Sequence, residues 1–372
     1  MHPEYPTRRQ DEGRSFTLLF KHKLLVMRRI VKQVVGIDVA QSELVVYLGR
    51  MYDDWSPELY ASKSFANTAK GFEGLVRWVN KLTTVETAIR YVMEATGVYH
   101  ESLAYYLDEK GCEVSIVLPN KISNYIRTLK TKTITDKTSA TAITLFGLEK
   151  KIDRWCRPKG IFKKLRQLTR EREQLVVERT MLKNQLHAES SEAEPGKKAI
   201  ARMKTRIALL DAQEKEIMSE VKQLTQTDRE MKELLILICT LPGVGLLTAT
   251  TILAETNGFE LIRSKRQLTS YAGLDVVEKQ SGTSVKGKAR ISKKGNRYLR
   301  KALHLPSLSA IRHDERFKAM FCRLVAKHGI KMKAAVAVQR RLLEMTFTLY
   351  KNRKPYDKNH QKKLESSIEA TP

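Results

Sequence analysis

Cysteine is scarce in this chain, and its four cysteines lie far apart. Cys112, Cys156, Cys239 and Cys322 form no CxxC pair and no Cys/His ligand spacing. Such a pattern excludes a disulfide framework and a thiolate metal site. It fits a protein of the reducing cytoplasm.

Long apolar runs are absent too, with one exception. Residues 234–254 contain no charged residue, which is close to the length of a membrane span. A Leu-Pro-Gly-Val-Gly run at 241–245 interrupts the segment, and several threonines dilute it. The segment therefore predicts two short buried helices broken by a turn. No small-residue cleavage site follows the basic N-terminus, so we expect no signal peptide.

Acidic residues are outnumbered by basic ones. The 372-residue chain has 41 Asp and Glu against 68 Lys and Arg, a formal charge of +27. This excess predicts a polyanionic partner, either nucleic acid or an anionic membrane. A basic surface without such a role is the alternative. Hydrophobic residues make up 42%, which is enough for real cores and excludes a wholly disordered chain.

Residues 33–150 alternate between strand-like and helix-like patterns. Three β-rich runs come first, and helical and strand patterns then alternate. The order β-β-β-α-β-α-β-α predicts an α/β domain with a mixed sheet and helices on its faces. The predicted strands are 34–39, 43–48, 59–65, 87–93 and 113–118, and the predicted helices are 69–82, 103–107, a stretch from 119, and 135–149.

Residues 151–236 predict a helical arm. Leucines recur every seven residues from Leu168 to Leu182, and similar spacing returns beyond a polar turn near Pro195. Two long helices folding back as a coiled coil explain the pattern. A pair of solvated helices on one globular body is the alternative, because charged residues interrupt both apolar seams.

Residues 237–350 predict a mostly helical domain with glycine-rich breaks. We expect a basic tail over 1–32 and a disordered polar tail over 351–372. Met27 is an alternative start of translation. The chain thus predicts two globular domains joined by a helical arm.

The three tryptophans are Trp55, Trp78 and Trp155. We expect them to anchor the core or its edges, because large aromatic side chains bury extensive apolar area. A platform on which nucleic-acid bases stack is the alternative.

Three acidic residues mark the ends of predicted elements. Asp38 ends the first strand, Glu94 follows the fourth, and Asp136 begins the last helix. Functional groups of open α/β sheets gather at strand ends, and carboxylate oxygens suit Mg²⁺ or Mn²⁺. Two such ions can clamp a phosphodiester between its attacking and leaving oxygens. The alternative is that each acid only caps or solvates its element.

Four short motifs carry a family resemblance. They are Gly-Ile-Asp-Val-Ala at 36–40, Glu-Ala-Thr-Gly-Val-Tyr at 94–99, Pro-Asn-Lys at 119–121 and Thr-Asp-Lys at 135–137. Together they resemble the RNase H-like domain of the DEDD transposases. These are insertion-sequence recombinases guided by a bridge RNA and related to the Piv invertase. The resemblance implies a fold like that of Holliday-junction resolvase.

The same resemblance implies that Asp38, Glu94 and Asp136 are catalytic metal ligands. The family pattern Thr-Asp-Lys-x-Asp-Ala would place a fourth acid three residues after Asp136, where this chain has Ser139. Either three acids suffice, or one metal is lost, or the change inactivates the protein. Glu149 lies 13 residues beyond Asp136, about 20 Å along a helix, and is too distant to substitute.

The C-terminal region offers backbone and side-chain groups for phosphate. Gly243 and Gly245 at a helix turn expose N–H groups, as in a helix-hairpin-helix, with a plain turn as the alternative. Residues 279–313 contain ten Lys or Arg and no acid, which predicts a phosphate cradle, with a solvated basic loop as the alternative. The residues assigned to nucleic acid are Gly243, Gly245, Lys286, Lys288, Arg290, Lys293, Lys294, Arg297, Arg300, Lys121 and Lys132.

This region also resembles the C-terminal domain of the same transposases. The matching runs are Leu-Pro-Gly-x-Gly, Tyr-Ala-Gly-Leu at 271–274, Gln-Ser-Gly at 280–282 and Ile-Ser-Lys-x-Gly-Asn from 291. The resemblance implies that Ser281 is the recombination nucleophile, which would form a phosphoserine bond to DNA. Ser284 and Ser292 are weaker candidates.

The resemblance implies further partners. It implies donor and target DNA, a structured noncoding guide RNA, a tetramer built from two dimers through the coiled coil, and a bacterial, nucleoid-associated location. Two other hypotheses stay open. The acids alone would permit a metal-dependent junction-resolving nuclease, and Ser139 would permit a catalytically weakened nucleic-acid binder.

Overall fold

The computed structural model describes residues 28–95, 97–129, 133, 135–260, 262–278, 280–282, 285–287, 289–357 and 359. The chain divides into two compact units, 1–157 and 158–372. Most of the predicted tail over 1–32, and nearly all of the C-terminal tail beyond 357, lies outside the described residues. Within them, no helix is both long enough and apolar enough to cross a membrane.

The first unit is a five-stranded mixed sheet with helices. Its strands are β1 (Ile30–Val39), β2 (Glu43–Tyr52), β3 (Pro57–Ala66), β4 (Ile89–Glu94) and β5 (Glu113–Val117). Its helices are α1 (Ala69–Leu82), α2 (Glu101–Glu109), α3 (Pro119–Ile126) and α4 (Asp136–Glu149). The predicted order of strands and helices is confirmed.

The sheet order is β3-β2-β1-β4-β5. β1 pairs antiparallel with β2 and parallel with β4, and β4 pairs parallel with β5. β1 is therefore central, and its burial follows: Val35 and Ile37 are fully buried. A parallel strand buried on both faces reads as a continuous apolar run, which is why this strand was readable from the sequence.

β1 begins at Ile30, inside the segment predicted as a tail. Ile30 pairs with Tyr52, and the Thr87 hydroxyl donates to the Ile30 carbonyl at 3.0 Å. These long-range partners extend the strand beyond the apolar run that defined it in the sequence. Strand β2 likewise continues to Tyr52, four residues past its predicted end.

The second unit begins with two long helices, α5 (Gly160–Ser190) and α6 (Lys197–Thr227). They pack on each other, and the charged residues predicted to interrupt their seams pair across it: Arg172 with Glu214, and Arg179 with both Asp211 and Glu214. The alternative of helices on one globular body also has support. Phe162 and Leu165 at one end belong to the core of the second unit.

The rest of the second unit is mostly helical, as predicted. The helices are α7 (Arg229–Cys239), α8 (Leu246–Glu255), α9 (Lys265–Ala272), α10 (Arg297–Ala302), α11 (His304–His313), α12 (Glu315–His328) and α13 (Lys331–Asn352). The charge-free run thus forms two helices, α7 and α8, broken by a turn, which confirms that prediction. Four short strands, which the sequence did not predict, are β6 (Val276–Val277), β7 (Gln280–Ser281), β8 (Val285–Lys286) and β9 (Arg290–Ile291).

Candidate active site and nucleic-acid interface

The three predicted acids come together at one end of the sheet. Asp38 is the penultimate residue of β1, Glu94 ends the adjacent parallel strand β4, and Asp136 is the first residue of α4. Burial, together with the nearby charges of Asp136 and then Glu94, raises the pKa of Asp38 to about 6. The acids therefore share one electrostatic environment, as expected of carboxyl ends of neighbouring parallel strands.

Helix α4 is held close to the sheet by a glycine. A Cβ on Gly36 would lie 2.1 Å from the Thr144 hydroxyl oxygen and 2.6 Å from the Thr144 backbone nitrogen. Only glycine permits this approach of helix to strand. Gly36, which the sequence offers only as part of a motif, thus helps to place Asp136 beside Asp38.

The first turn of α4 is fixed by a capping box. The Thr135 side chain accepts from the Thr138 backbone N–H, and the Thr138 hydroxyl accepts from the Thr135 backbone N–H at 2.7 Å. Asp136 occupies the exposed first position of the helix, where the helix dipole favours an anion. Ser139 is half-buried one turn further on, on the same side of the helix as Asp136.

Loops around the acids are tied together by Asn67, which sequence reasoning missed. Its amide nitrogen donates to the Ala40 carbonyl at 2.9 Å and to the Tyr99 carbonyl at 3.2 Å. It thereby joins the segment after Asp38 to the segment after Glu94. The only sequence signal was its place before the Thr68 helix cap.

The donor set suits a hard divalent cation. Mutual repulsion among carboxylates, visible in the raised pKa of Asp38, would be relieved by a cation bound between them. Among the described residues, however, no three Asp, Glu, His or Cys side chains are close enough to enclose a metal ion. The three acids match the ion in chemistry but form an open group.

The glycine turn of the second unit is packed as well as exposed. A Cβ on Gly243 would lie 2.4 Å from the Pro306 carbonyl oxygen, and Gly243 has φ of +79°. This glycine is therefore needed for the turn to approach α11. Gly245 is the N-cap of α8, has no side-chain cap and faces open space. Of the pair, Gly245 is the one whose surroundings leave room for a phosphate.

Much of the basic C-terminal motif is bound to the protein itself. Arg300 donates to the Ala272 carbonyl at 2.8 Å and to the Gly295 carbonyl at 3.1 Å. Arg297 lies over the Tyr298 ring, 5.0 Å from its centroid. These contacts give the two arginines a structural role beside the phosphate contact predicted for them.

A buried acid explains the rest of the motif. Glu255, 2% exposed, receives two hydrogen bonds from Arg170 at 2.7 and 2.8 Å and one from the Asn296 amide at 2.6 Å. The Tyr271 hydroxyl donates to its backbone carbonyl at 2.8 Å. Glu255 thus fastens α5 and both motif segments, and its only sequence signal is its place at the end of the charge-free run.

Replacing Glu255 by alanine is expected to lower the free energy of unfolding of the second unit by about 3 kcal/mol. The change leaves Arg170 and Asn296 without their buried partner. Urea unfolding followed by circular dichroism measures it. The matched control is Glu233→Ala, which breaks an exposed pair with Arg229 and should cost about 0.5 kcal/mol or less. Equal losses in the two variants would contradict the role of Glu255.

Ser281 lies near the end of a two-stranded hairpin. β6 pairs with β9, and further along β7 pairs with β8, with Ser281 opposite Val285. Gly282 begins the connection with φ of +55°. Ser281 lies toward the turn of the hairpin, whereas Ser292 lies at its base. There the Ser292 hydroxyl donates a hydrogen bond to the Asp275 carboxylate.

The remaining predicted nucleic-acid contacts fall into three groups. Arg290, Lys293 and Lys294 are exposed around the hairpin base, and Lys121 is exposed on α3. Lys286 lies in β8. Lys132, Lys288 and Ser284 lie outside the described residues. The structure thus brings together the acids in the first unit, and the hairpin with its exposed cations in the second.

Comparisons with known proteins point to one family. Residues 35–189 match a DEDD transposase family model of the IS110 type, and residues 236–322 match the transposase IS116/IS110/IS902 family. The chain is 28% identical over 334 residues to the pilin gene-inverting protein of Moraxella bovis, covering 88% of this chain and 98% of that protein. The corresponding protein of Moraxella lacunata is 28% identical over 333 residues, with the same shares covered.

Among solved structures, one match is Thermus thermophilus RuvC in complex with a Holliday junction substrate. It has a TM-score of 0.26 and 10% identity, and covers 33% of this chain and 99% of that one.

Proposed function

Because the chain belongs to the IS110 family of DEDD transposases, we propose that it breaks and rejoins DNA strands with an acidic metal site and a serine nucleophile. The observation that carries the proposal is the grouping of Asp38 with Asp136 and Glu94: burial, and then the charges of these two acids, raise the pKa of Asp38 to about 6. Such perturbed carboxylates mark functional sites. The pilin gene-inverting relatives support a rejoining reaction rather than cleavage alone.

Asp38, Glu94 and Asp136 would hold the divalent cation, Mg²⁺ or Mn²⁺. When bound, the cation supplies charge neutralisation at the scissile phosphate. The protein's own part is positional. Gly36 and the capping box of α4 set the place of Asp136, and Asn67 ties together the segments that follow the other two acids. Ser139 would face the same phosphate-binding space with a neutral hydroxyl.

Ser281 would attack the phosphorus, and its Oγ–P bond would form as the bond to the leaving oxygen breaks. Overall, the hydroxyl proton passes to the leaving oxygen. The phosphoserine bond conserves the energy needed to join a new strand. Arg290, Lys293 and Lys294, exposed at the hairpin base, would neutralise neighbouring backbone phosphates.

Recognition of the DNA sequence would fall to a structured guide RNA. The described units carry exposed cations but their sequence has no helix-turn-helix or zinc-finger signature, which favours a protein that contacts backbone and shape. An assembly of two dimers completes the proposal.

The test uses the full chain, Mn²⁺ and supercoiled DNA that carries both ends of the insertion sequence. It also includes RNA transcribed from the DNA that flanks the gene of this protein. The expected result is strand exchange together with a DNA adduct that stays covalent after denaturation and is lost on protease digestion. Cleavage without any adduct would instead establish the hydrolytic, junction-resolving nuclease. Omitting the RNA tests the guidance separately. Strand exchange that is unaltered without RNA would contradict RNA guidance and leave the rest of the proposal standing.

A second candidate, a nucleic-acid binder with weakened catalysis, is supported by Ser139. We expect Ser139→Asp to raise Mn²⁺ affinity by about tenfold, because an added carboxylate on the Asp136 side of α4 strengthens an oxygen-ligand site. Calorimetric titration with Mn²⁺ measures the affinity, and the cleavage assay follows activity.

Ser139→Asn is the matched control, since it has nearly the same size and no charge. Equal affinities of the two variants would show that position 139 does not face the ion. A large gain in cleavage on introducing the acid would show that the natural chain is catalytically weakened.

A further inference from the structure

Trp55 differs from the other two tryptophans. The Trp78 ring packs on Phe65 and the Trp155 ring on Tyr105, each with centroids 5.6 Å apart, as expected of anchors. Trp55 is 78% exposed, so the prediction that it anchors the core is wrong. Burying an indole would stabilise the fold, so the exposure of Trp55 calls for an explanation other than folding stability.

The turn that carries Trp55 holds it in an unfavourable backbone conformation. Trp55 has φ of +61°, a left-handed region that is costly for a bulky side chain and easy for glycine. The turn is nonetheless fixed: the Trp55 N–H donates to the Tyr52 carbonyl at 3.0 Å, and the Tyr52 N–H to the Ser56 carbonyl at 3.2 Å. Strained backbone retained in a rigid turn is typical of functional sites.

An open groove of about 510 Å³ lies beside this turn. Trp55 lines it together with Lys32, Arg90, Lys150 and Lys151, against the acids Glu113 and Glu149. Arg90 pairs with Glu113 at 2.8 Å, and Lys32 donates to the Leu148 and Lys150 carbonyls.

Lys150 and Lys151 are exposed. Among the described residues they make no side-chain hydrogen bond or ion pair, and so they remain available to an anion. Beside the turn, just before β1, Arg29 is exposed and its carbonyl accepts from the Asp53 N–H, and the Arg28 guanidinium pairs with the Asp54 carboxylate at 3.4 Å. Among the described residues around Trp55, six cations outnumber four acids: Lys32, Arg90, Lys150, Lys151, Arg28 and Arg29 against Asp53, Asp54, Glu113 and Glu149.

We infer that the turn of residues 52–56 and this groove bind an unpaired nucleotide of a single-stranded nucleic acid. The Trp55 indole would stack on the base, and Lys150 and Lys151 would meet the flanking phosphates. Aromatic side chains bordered by cations are the usual means of binding single strands without reading their sequence. The chemistry is shared by single-stranded DNA and by an RNA loop.

This site is separate from the acids. Ile30, which pairs with Tyr52, and Asp38 lie eight residues apart on β1, about 26 Å along an extended strand. A strand held at Trp55 would therefore occupy the opposite end of the sheet from the scissile phosphate. If the inference fails, the proposed strand breakage still stands, because the Trp55 site does not include Asp38, Glu94 or Asp136.

The experiment measures binding of 12-nucleotide oligothymidylate and oligouridylate to the full chain in about 0.3 M salt, which suppresses purely electrostatic sites. The variants are Trp55→Gly, which removes the ring and relieves the backbone strain, and Trp55→Phe, which keeps a ring. A 12-mer without bases retains the phosphates and removes the stacking partner. Oligomers with one 5-iodouracil locate the contact by photocrosslinking and peptide mapping.

We expect Trp55→Gly to weaken binding by about 5- to 100-fold, the contribution of one stacked base, with an unchanged or raised unfolding midpoint. Trp55→Phe should lose less, and the base-free 12-mer should bind wild type and Trp55→Gly alike. The crosslink should map to residues 52–56, and whichever oligomer binds more tightly identifies DNA or RNA as the ligand.

Equal binding by wild type and Trp55→Gly, or crosslinks found only elsewhere, would overturn the inference. So would a variant that keeps its oligonucleotide affinity but loses binding to phosphatidylserine vesicles, since that would assign Trp55 to a membrane surface.

Discussion

Ser281→Ala is expected to abolish the covalent protein–DNA adduct and to lower strand exchange by at least about 10⁴-fold. Removing the nucleophile of a covalent mechanism leaves only binding and electrostatic stabilisation. Ser281 lies in β7 near the end of the hairpin, where its backbone pairs with Val285. DNA binding should be retained, because the exposed cations of the hairpin base are unchanged.

Ser292→Ala is the matched control for this prediction. The Ser292 hydroxyl donates to the Asp275 carboxylate and its backbone N–H to the Asp275 carbonyl, so its loss should reduce stability without removing the adduct. Denaturing electrophoresis of end-labelled DNA after the reaction measures the adduct directly. An adduct formed by Ser281→Ala and missing from Ser292→Ala would transfer the nucleophile to Ser292.

Asp38→Asn is expected to abolish strand cleavage while making the first unit more stable at neutral pH. The folded state raises the pKa of Asp38 from its ordinary value to about 6, so folding binds a proton more tightly than the unfolded chain does. The charged side chain therefore destabilises the fold most above pH 6, and this cost shrinks as the pH falls and is gone only below the ordinary Asp pKa of 3.8. The substitution should raise the free energy of unfolding by about 1 to 2 kcal/mol at pH 7.5. This is less than the full pKa shift implies, because Asp38 is partly solvated.

The measurement is urea unfolding in EDTA at pH 7.5 and at pH 4.5, where the gain in the free energy of unfolding should fall to about a third of its value at pH 7.5. Adding Mn²⁺ should then stabilise the wild type and not the variant, because only the wild type binds the ion in its folded state. Glu86→Gln, an exposed acid beyond the other end of the sheet, is the control and should show neither effect. A variant that is less stable than wild type at pH 7.5 would contradict the electrostatic account of the site.

The first unit was predictable because its pattern is simple. The apolar runs of β1 and β4 are long enough to be read as strands, and carboxyl ends of adjacent parallel strands meet at one edge, so Asp38 and Glu94 were placed correctly relative to the sheet. Asp136 was placed at the start of the last predicted helix, 135–149, by the helical pattern of that segment. The close approach of Gly36 to Thr144 could not be read, because it depends on how a helix docks on a strand 108 residues earlier.

The second unit shows what such patterns leave out. A run of basic residues predicts a phosphate cradle, yet Arg300 holds backbone carbonyls and Asn296 holds Glu255. A lone acid after an apolar run carries no sign that it will be buried by Arg170. The left-handed backbone of Trp55 is equally invisible, since nothing in the neighbouring residues distinguishes an exposed indole from a buried one.

The close packing of Thr144 on Gly36 fixes α4 to the sheet at a point about two helical turns from Asp136. Asp136 lies eight residues from Thr144 along the helix, an arm of about 12 Å. A rotation of α4 by about 5° about this contact would move the Asp136 carboxylate by about 1 Å, whereas ligand positions in a metal site are fixed to a few tenths of an ångström. The fit at Gly36 therefore sets where Asp136 stands relative to the other two acids, although Gly36 itself carries no ligand atom.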